Sequence, residues 1–224
     1  MSNPKPQLVL IHGLKFSGKS TLATHLMNKH EYVRVKMAEP LKNMVRSLLR
    51  DAGIGEDRIE DYIEGSFKEV PIDELGGVTS RRLMMTLGEE WRNMHGKELW
   101  VNIAKSKIIS LLKQGISVVV DDIRYPFEID ALDKLNPFKA VITRGELHFE
   151  AYGEDRHPGE RPMPIEGFDF HFANNEETTD ELWATADAVL KARGEYEVRL
   201  ADLHRGYLGQ MRELQSRRDY AFAA

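Results

Sequence analysis

Apolar residues along this chain follow two kinds of pattern. Short runs rich in β-branched and aromatic residues predict strands over 7–12, 32–37, 116–120, 140–143 and 168–173. Longer stretches carry apolar residues at helical spacing and predict helices over 19–29, 40–51, 81–91, 99–114, 126–134 and from 178 or 179 to 193. Strands that alternate with helices favour a three-layer α/β/α fold, here with a parallel sheet of about five strands.

Three segments interrupt this alternation. Residues 52–77 are polar and acidic, with a short amphipathic piece over 59–62, and predict a surface excursion. Residues 145–167 mix prolines and glycines with charges, which predicts a mobile lid. The C-terminal extension, 195–224, carries a charged helical pattern and is expected to pack either on the body of the protein or on a second copy, as a homodimer. Chains of this length are commonly one domain, so we expect a single domain over 1–224.

The first predicted strand and helix are joined by Gly13-Leu14-Lys15-Phe16-Ser17-Gly18-Lys19-Ser20. The spacing G-x-x-x-x-G-K-[ST] between a strand and a helix is typical of a loop that binds nucleotide phosphates. Glycines let successive backbone N–H groups point into one concavity, and the helix N-terminus behind them favours anions. We therefore expect a P-loop NTPase fold in which Lys19 reaches the β- and γ-phosphates and Ser20 offers its hydroxyl to Mg²⁺.

Polar residues also follow the third predicted strand. Because ligands bind at the carboxyl ends of parallel strands, these residues are candidates for the same site. A carboxylate of Asp121 or Asp122 can hold Mg²⁺ beside Ser20, and we assign the metal to Asp121, while the division of roles between the two aspartates stays open. Asp122 and Arg124 share one face of an extended segment, so one can meet metal or sugar while the other meets phosphate.

Several basic residues can be interpreted in two ways. Arg81 and Arg82 form either a solvated helix face or a clamp on the phosphate of an acceptor molecule, for which the guanidinium fork is suited. Lys42 and Arg144 carry the same two interpretations. Arg156 lies in the predicted lid and would close over the triphosphate, which would exclude water from the transfer.

Composition narrows the class of partner. The 224 residues carry a net charge of −5 and no cysteine, which argues against a nucleic acid as partner and excludes disulfides and thiolate metal sites. No apolar run reaches the length of a membrane span, and the N-terminus lacks a signal peptide's apolar region. We expect a cytoplasmic protein that does not bind membranes.

A set of segments occurs in a recognisable order: Gly13-x-Lys15-x-Ser17-Gly18-Lys19, Ala38-x-Pro40-Leu41-Lys42, Arg81-Arg82-Leu83-Met84-x-x-Leu87-Gly88, Trp100-Val101, Asp122-x-Arg124-x-x-x-Glu128 and His157-x-x-Glu160. Over about 8–190 the chain resembles the bacteriophage deoxynucleoside monophosphate kinases of the T-even type. The resemblance implies a P-loop kinase that passes the γ-phosphate of ATP to a deoxynucleoside monophosphate, in the host cytoplasm if the chain is phage-encoded. Ser20 departs from the family, whose loop can end in Asp. The segment 52–77 is shorter than in the family, and 195–224 has no counterpart.

The resemblance also implies roles by position. ATP binding falls to Gly18, Lys19, Ser20 and Thr21, and the acceptor site to Lys15, Leu41, Lys42, Arg82, Gly88, Trp100, Asp122, Arg124 and Glu128. The residues argued above add Gly13, Lys15, Ser17, Arg144 and Arg156 to the ATP site and Arg81 to the acceptor site. The expected catalytic residues are Lys15, Lys19, Arg82, Asp122 and Arg124. No catalytic base is recognisable, as suits an acceptor that is already a phosphate.

Two other functions stay open on the sequence. One is another small-molecule P-loop kinase that resembles animal phosphomevalonate kinases; the other is an NTP-dependent switch or assembly module. Trp91 and Trp100 are either core aromatics or the wall of a base site. A stacking role for Trp100 would favour a nucleotide acceptor, because a mevalonate phosphate needs no aromatic wall.

Overall fold

The computed structural model describes residues 7–145, 159, 161–175 and 178–194, which fall into one unit within Pro6–Asn175 and another within Glu176–Ala224. The strands of the first unit are β1 (Leu8–His12), β2 (Val33–Arg34), β3 (Pro71–Ile72), β4 (Val78–Thr79), β5 (Val118–Ile123), β6 (Phe138–Thr143) and β7 (Phe170–Ala173). Its helices are α1 (Lys19–His30), α2 (Glu39–Asp51), α3 (Glu56–Ile63), α4 (Ser80–His95), α5 (Leu99–Lys113) and α6 (Pro126–Leu132).

A five-stranded parallel sheet in the order β2-β5-β1-β6-β7 forms the centre of the first unit. The sheet confirms the predicted α/β architecture. β1 lies between β5 and β6, so the chain crosses over it on the way from one neighbour to the other. This crossing opens a crevice at the carboxyl ends of β1 and its neighbours, which is where such folds bind ligands.

Helices cover both faces of this sheet. Leu8, Leu10, Val118 and Val120 share a buried cluster with residues of α5 and α6. The alternate residues of β1 and β5 point to the other face, where α1 packs and buries Leu22, Ala23 and Leu26.

The prediction of a surface excursion over 52–77 is wrong. This segment folds into α3, a 3₁₀ helix (Ser66–Glu69) and β3, which pairs with β4 directly after the segment, and it shares a buried cluster with α2 and α4. Ile59, Ile63 and Ile72 are almost fully buried there, against α2 and α4. Exposed charged residues dominate the composition of the segment, which is why the sequence predicts it to lie on the surface. Three isoleucines and Tyr62 are nevertheless enough to form a buried face.

Other boundaries also shift. β2 is shorter than predicted, α4 continues to His95, and β5 extends through Asp121 and Asp122 to Ile123. Within the predicted lid, 145–167, Met163 is buried in the main core, and its backbone N–H donates to Nε2 of His12 at 3.0 Å. Residues 146–158 and 160 lie outside the described residues.

The second unit is described over 178–194 and is helical from 180 to 194. The pattern at 195–218 lies outside the described residues, so the homodimer and the single domain over 1–224 stay predictions. Among the residues described, no helix is long and apolar enough to cross a membrane.

Candidate functional site

The phosphate loop needs glycine at two places where other parts of the fold approach its backbone. A β-carbon on Gly13 would lie 2.4 Å from the carbonyl oxygen of Ile142 on β6. Gly18 has a φ of 105°, and a β-carbon there would lie 2.5 Å from Nδ2 of Asn174. Both distances are too short for a β-carbon, so glycine at these positions lets β6 and Asn174 pack directly against the loop backbone.

The start of α1 is open to an anion. Gly18 caps the helix without a side-chain hydrogen bond, and the first turn holds no acidic residue. The first N–H groups of a helix have no intrahelical partner, so a phosphate can bind them. Oγ of Ser17 is buried in the same loop and, within the described part of the chain, has no hydrogen-bond partner. The loop therefore has hydrogen-bond donors that can bind phosphate oxygens.

Lys19 folds back over this loop. Its Nζ donates to the carbonyl oxygen of Leu14 at 2.6 Å. Burial lowers the pKa of Lys19 to about 8; Asp121 and Asp122 oppose this shift, and the positive charge of Arg124 adds to it. The lysine, the two aspartates and Arg124 therefore act on one another electrostatically at the carboxyl ends of β1 and β5.

The predicted metal ligands do come together. Oγ of Ser20 donates to Oδ2 of Asp121 at 3.3 Å, and Asp121 is only 3% exposed. Arg34 of β2, however, already binds both residues: its Nε donates to Oδ1 of Asp121 at 2.7 Å, a second nitrogen donates to Oδ2, and the same nitrogen donates to Ser20 at 3.2 Å. Hydroxyl and carboxylate oxygens suit Mg²⁺, but with a guanidinium on both of them this pair does not fit a divalent cation as arranged.

Asp122 faces the other way and holds the backbone. Its Oδ1 accepts from the N–H of Met37 at 2.9 Å and its Oδ2 from that of Ala38 at 3.1 Å. Burial raises the pKa of this carboxyl, against the effect of the two N–H groups. Both oxygens are thus used to fix the turn that starts α2.

A cleft of about 320 Å³ lies beside this turn. Eight of the ten predicted acceptor residues line it: Leu41, Lys42, Arg81, Gly88, Trp100, Asp122, Arg124 and Glu128. Residues that the sequence analysis did not select also contribute, including Ile63, Glu64, Lys68, Met84, Met85, Glu89, Arg92 and Tyr125. Because it collects most of the residues predicted for the acceptor site, we call this cleft the acceptor cavity below.

The acceptor cavity combines cations with apolar and aromatic walls. Its lining cations are Lys42, Lys68, Arg81, Arg92 and Arg124, and its lining acids are Glu64, Glu89, Asp122 and Glu128. Burial brings the pKa of Glu128 to about 7, so this acid is partly protonated near neutral pH and the cavity holds more charged cations than charged acids. The cavity accordingly suits an anionic ligand.

Aromatic rings form part of the cavity wall. Trp100 lines the cavity and stacks on Trp91 with a centroid distance of 6.1 Å. The guanidinium of Arg92 lies 4.4 Å from the centroid of the Tyr125 ring. Nε1 of Trp100 is buried and, as far as the described residues go, has no acceptor. An aromatic wall of this kind suits a planar ligand group.

The register of α4 decides which of two neighbouring arginines enters the cavity. Arg81, Met84, Gly88 and Arg92 line it, at spacings of three, four and four residues that keep them on one helix face. Arg82 lies off this face, is exposed and does not line the cavity. The helical spacing from Gly88 would have selected Arg81 and Arg92 from the sequence.

Some predicted residues lie away from the cavity. Lys15 is exposed, with its Nζ 4.9 Å from the centroid of the Phe16 ring. Thr21 is half-buried in the first turn of α1, and Arg144 is exposed at the end of β6. Arg156 lies outside the described residues.

Three residues of the site are only weakly indicated by the sequence, or not indicated at all. Asn174 directly follows the last strand, and residues at the carboxyl ends of parallel strands are candidates for a ligand site. Its Nδ2 donates to the carbonyl oxygen of Ser17 at 2.9 Å. Arg34 lies within a predicted strand, and Lys68 within the segment interpreted as a surface excursion, so neither was selected.

Comparison with known proteins gives distant relatives. No protein-family model matches the chain. A protein of Acanthamoeba polyphaga mimivirus, named "Putative deoxynucleotide monophosphate kinase", is 23% identical over 188 residues, which cover 79% of this chain and 92% of that protein. Among solved structures, the chain is similar to a mutant form of the Mycobacterium tuberculosis APS kinase CysC (14% identity, TM-score 0.42, 84% of this chain and 99% of that one). It is also similar to TT1252 from Thermus thermophilus (16% identity, TM-score 0.43, 83% and 97%).

Proposed function

We propose that this chain is an ATP-dependent kinase that transfers the γ-phosphate to a deoxynucleoside monophosphate, giving a deoxynucleoside diphosphate and ADP. The observation that carries the proposal is the acceptor cavity itself. It is cationic, has an aromatic wall, and lies at the end of β5, the neighbour of the strand that leads into a complete phosphate loop. The name of the mimivirus relative supports the same activity.

The phosphate loop provides the donor half of the site. Its N–H groups at the start of α1 would hold the β- and γ-phosphates, and Lys19 would exchange its bond with the Leu14 carbonyl for a phosphate oxygen. A pKa of about 8 leaves Lys19 mostly protonated at neutral pH, while its partial burial strengthens its attraction for an anion.

The acceptor cavity provides the other half. Lys42 and Arg81 would bind the phosphate of the monophosphate, and Trp100 would pack against its base. Arg124 lines the cavity and its charge also acts on Lys19, so in this proposal it contacts phosphates on both sides of the transfer.

In the reaction, an oxygen of the acceptor phosphate attacks the γ-phosphorus and the bond to the β–γ bridging oxygen breaks, so ADP leaves with that oxygen. The acceptor oxygen carries no proton that must be removed at neutral pH, so positioning and neutralisation of charge are the main demands. Arg124 and Lys19 supply that positive charge from the chain itself.

An acceptor assay tests the proposal directly. ATP is incubated with each of the four deoxynucleoside monophosphates, with mevalonate 5-phosphate as a control acceptor, and ADP release is followed by a coupled assay. We expect release that depends on at least one nucleotide and is absent with mevalonate 5-phosphate. Slow release that no nucleotide stimulates would contradict the proposal and favour an NTP-dependent switch.

Substitutions of two neighbouring arginines test whether the acceptor binds in this cavity. Arg81→Ala should raise the KM for the nucleotide acceptor roughly 10- to 100-fold, because a charge-assisted bond is lost, and should leave the KM for ATP nearly unchanged. Arg82→Ala should have a much smaller effect, since Arg82 lies off the cavity face. A large effect at Arg82 with none at Arg81 would contradict the placement of the acceptor.

A further inference from the structure

Three lysines converge on a single carboxylate at the edge of the acceptor cavity. Oε1 of Glu64 accepts from Nζ of Lys42 at 2.6 Å and from Nζ of Lys36 at 3.1 Å, and Oε2 accepts from Nζ of Lys68 at 3.5 Å. Lys42, Glu64 and Lys68 all line the cavity.

These four side chains come from separate parts of the fold. Lys36 precedes α2, Lys42 lies on α2, Glu64 follows α3, and Lys68 lies in the 3₁₀ helix Ser66–Glu69. Holding three ammonium groups close together costs electrostatic energy, and one carboxylate neutralises only part of their charge. Partial burial alone would raise the pKa of Glu64, but Lys42 and Lys36 outweigh it and hold the pKa at about 2, so Glu64 stays ionised.

A phosphate monoester offers what this cluster lacks. At neutral pH it carries close to two negative charges and three acceptor oxygens, whereas Glu64 supplies one charge and two oxygens. Ammonium groups on flexible stems can turn from a carboxylate to a phosphate with little rearrangement of the backbone. The side chain of Glu64 is 38% exposed, which leaves it room to move aside into solvent.

We propose that Glu64 is an internal competitor of the acceptor's phosphate: it keeps Lys36, Lys42 and Lys68 assembled when the cavity is empty and gives up Lys42 and Lys68 when a phosphate monoester binds. Glu64 is then a specificity residue. A ligand group with one negative charge or none attracts the lysines too weakly to displace Glu64. The cavity therefore favours a dianionic phosphate. This inference rests on the proposed function for the identity of the acceptor, though not for phosphate binding itself.

The test compares Glu64→Gln with Glu60→Gln by calorimetric titration without ATP. Glu60 lies one turn earlier on α3, pairs with Arg46 and does not line the cavity, so it controls for the change in net charge. With inorganic phosphate as the probe, Glu64→Gln should bind roughly tenfold more tightly than the wild type, and Glu60→Gln should bind as the wild type does.

Two results would overturn the inference. Equal or weaker phosphate binding in Glu64→Gln would show that Glu64 only positions the lysines, and equally tighter binding in both variants would show a general effect of charge. Thermal unfolding of both variants checks that they fold, and Glu64→Ala serves as a second variant with the same expected direction.

Thymidine and its 5′-monophosphate serve as a second pair of probes. The substitution Glu64→Gln should tighten binding of the monophosphate and leave that of thymidine unchanged, because only the phosphate competes with Glu64. An equal gain for thymidine would overturn the inference. If inorganic phosphate binds as expected while no nucleotide supports ADP release, the proposed function fails and the inference about Glu64 stands.

Discussion

Two acids of this site bind backbone N–H groups. Asp122 accepts the N–H groups of Met37 and Ala38, and Oε2 of Glu128 accepts those of Arg124 and Tyr125 at 2.7 and 3.0 Å. The sequence predicts that both acids line the acceptor site. They do line the cavity, but their oxygens already fix two of the turns that shape it, so we now interpret both as positioning residues.

Glu128 makes stability depend on pH in a direction opposite to that of most carboxyls. Burial raises its pKa from the ordinary 4.5 to about 7, against the effect of the two N–H groups. Between these values the folded state holds more protons than the unfolded state, so the free energy of unfolding should fall as pH rises from about 4.5 to 7, by about 3 kcal/mol at most.

Urea unfolding across this pH range checks the prediction. Glu128→Gln should remove the part of the decline that Glu128 contributes, whereas Glu56→Gln should not, because the pKa of exposed Glu56 is lowered by Arg50 and its contribution has the opposite sign. Parallel curves for the wild type and Glu128→Gln would contradict the assignment.

At the scale of elements, the start of α2 depends on a strand that lies far away in the sequence. The carboxylate of Asp122 on β5 holds the turn before α2, and α2 carries Leu41 and Lys42 into the acceptor cavity. In the same way, Asn174 after β7 holds the phosphate loop at Ser17. The sheet thus positions both halves of the site from strand ends.

Asp122→Asn tests this coupling. The asparagine amide has one oxygen that can accept a hydrogen bond, and its NH₂ group would face the second backbone N–H, which is also a donor. That N–H would lose its partner, so the variant should lose about 1–3 kcal/mol of stability. The N-terminal amides of α2 should exchange hydrogen faster, and the KM for the acceptor should rise while ATP affinity is kept.

The exposed Asp130→Asn on α6 is the matched control. A loss of kcat in Asp122→Asn with unchanged stability, exchange and KM would instead support the direct catalytic role that the sequence analysis expected.

Two of the buried clusters in the described part of Pro6–Asn175 support different parts of the site. The cluster under the sheet joins β1 and β5 to α5 and α6. The other cluster joins α2, α3 and α4 and holds the walls that carry Lys42, Glu64 and Arg81. ATP binding and acceptor binding should therefore respond differently to damage in the two clusters.

Ile59→Ala tests this division. Ile59 is 1% exposed, so the substitution should cost about 2–5 kcal/mol and should open α3 and the β3–β4 hairpin to hydrogen exchange. ATP affinity should survive at temperatures at which acceptor affinity is lost. Ile108→Ala, in the cluster under the sheet, should weaken the affinities for both ATP and the acceptor. Equal loss of the two affinities in Ile59→Ala would show that the two clusters do not act separately.

Much of this molecule could be predicted from local patterns. Apolar runs and helical spacing located the five strands of the sheet and most of the helices, and the phosphate loop was complete in eight consecutive residues. Local patterns mislead over 52–77, because Ile59, Ile63 and Ile72 bury one face among many charges. The sequence also predicts Arg82 together with Arg81, and of the two only Arg81 lines the cavity.

What the sequence determined by itself is therefore the backbone: which residues form strands, where the phosphate loop lies, and which strand ends carry polar groups. Only the tertiary structure decided the partners of those polar groups. Arg34 reaches Asp121 across 87 positions and Asn174 reaches Ser17 across 157, because parallel strands from distant segments end side by side. Local propensity sets the backbone within a few residues, whereas a side chain bonds to whatever the sheet order brings within about 3 Å of it.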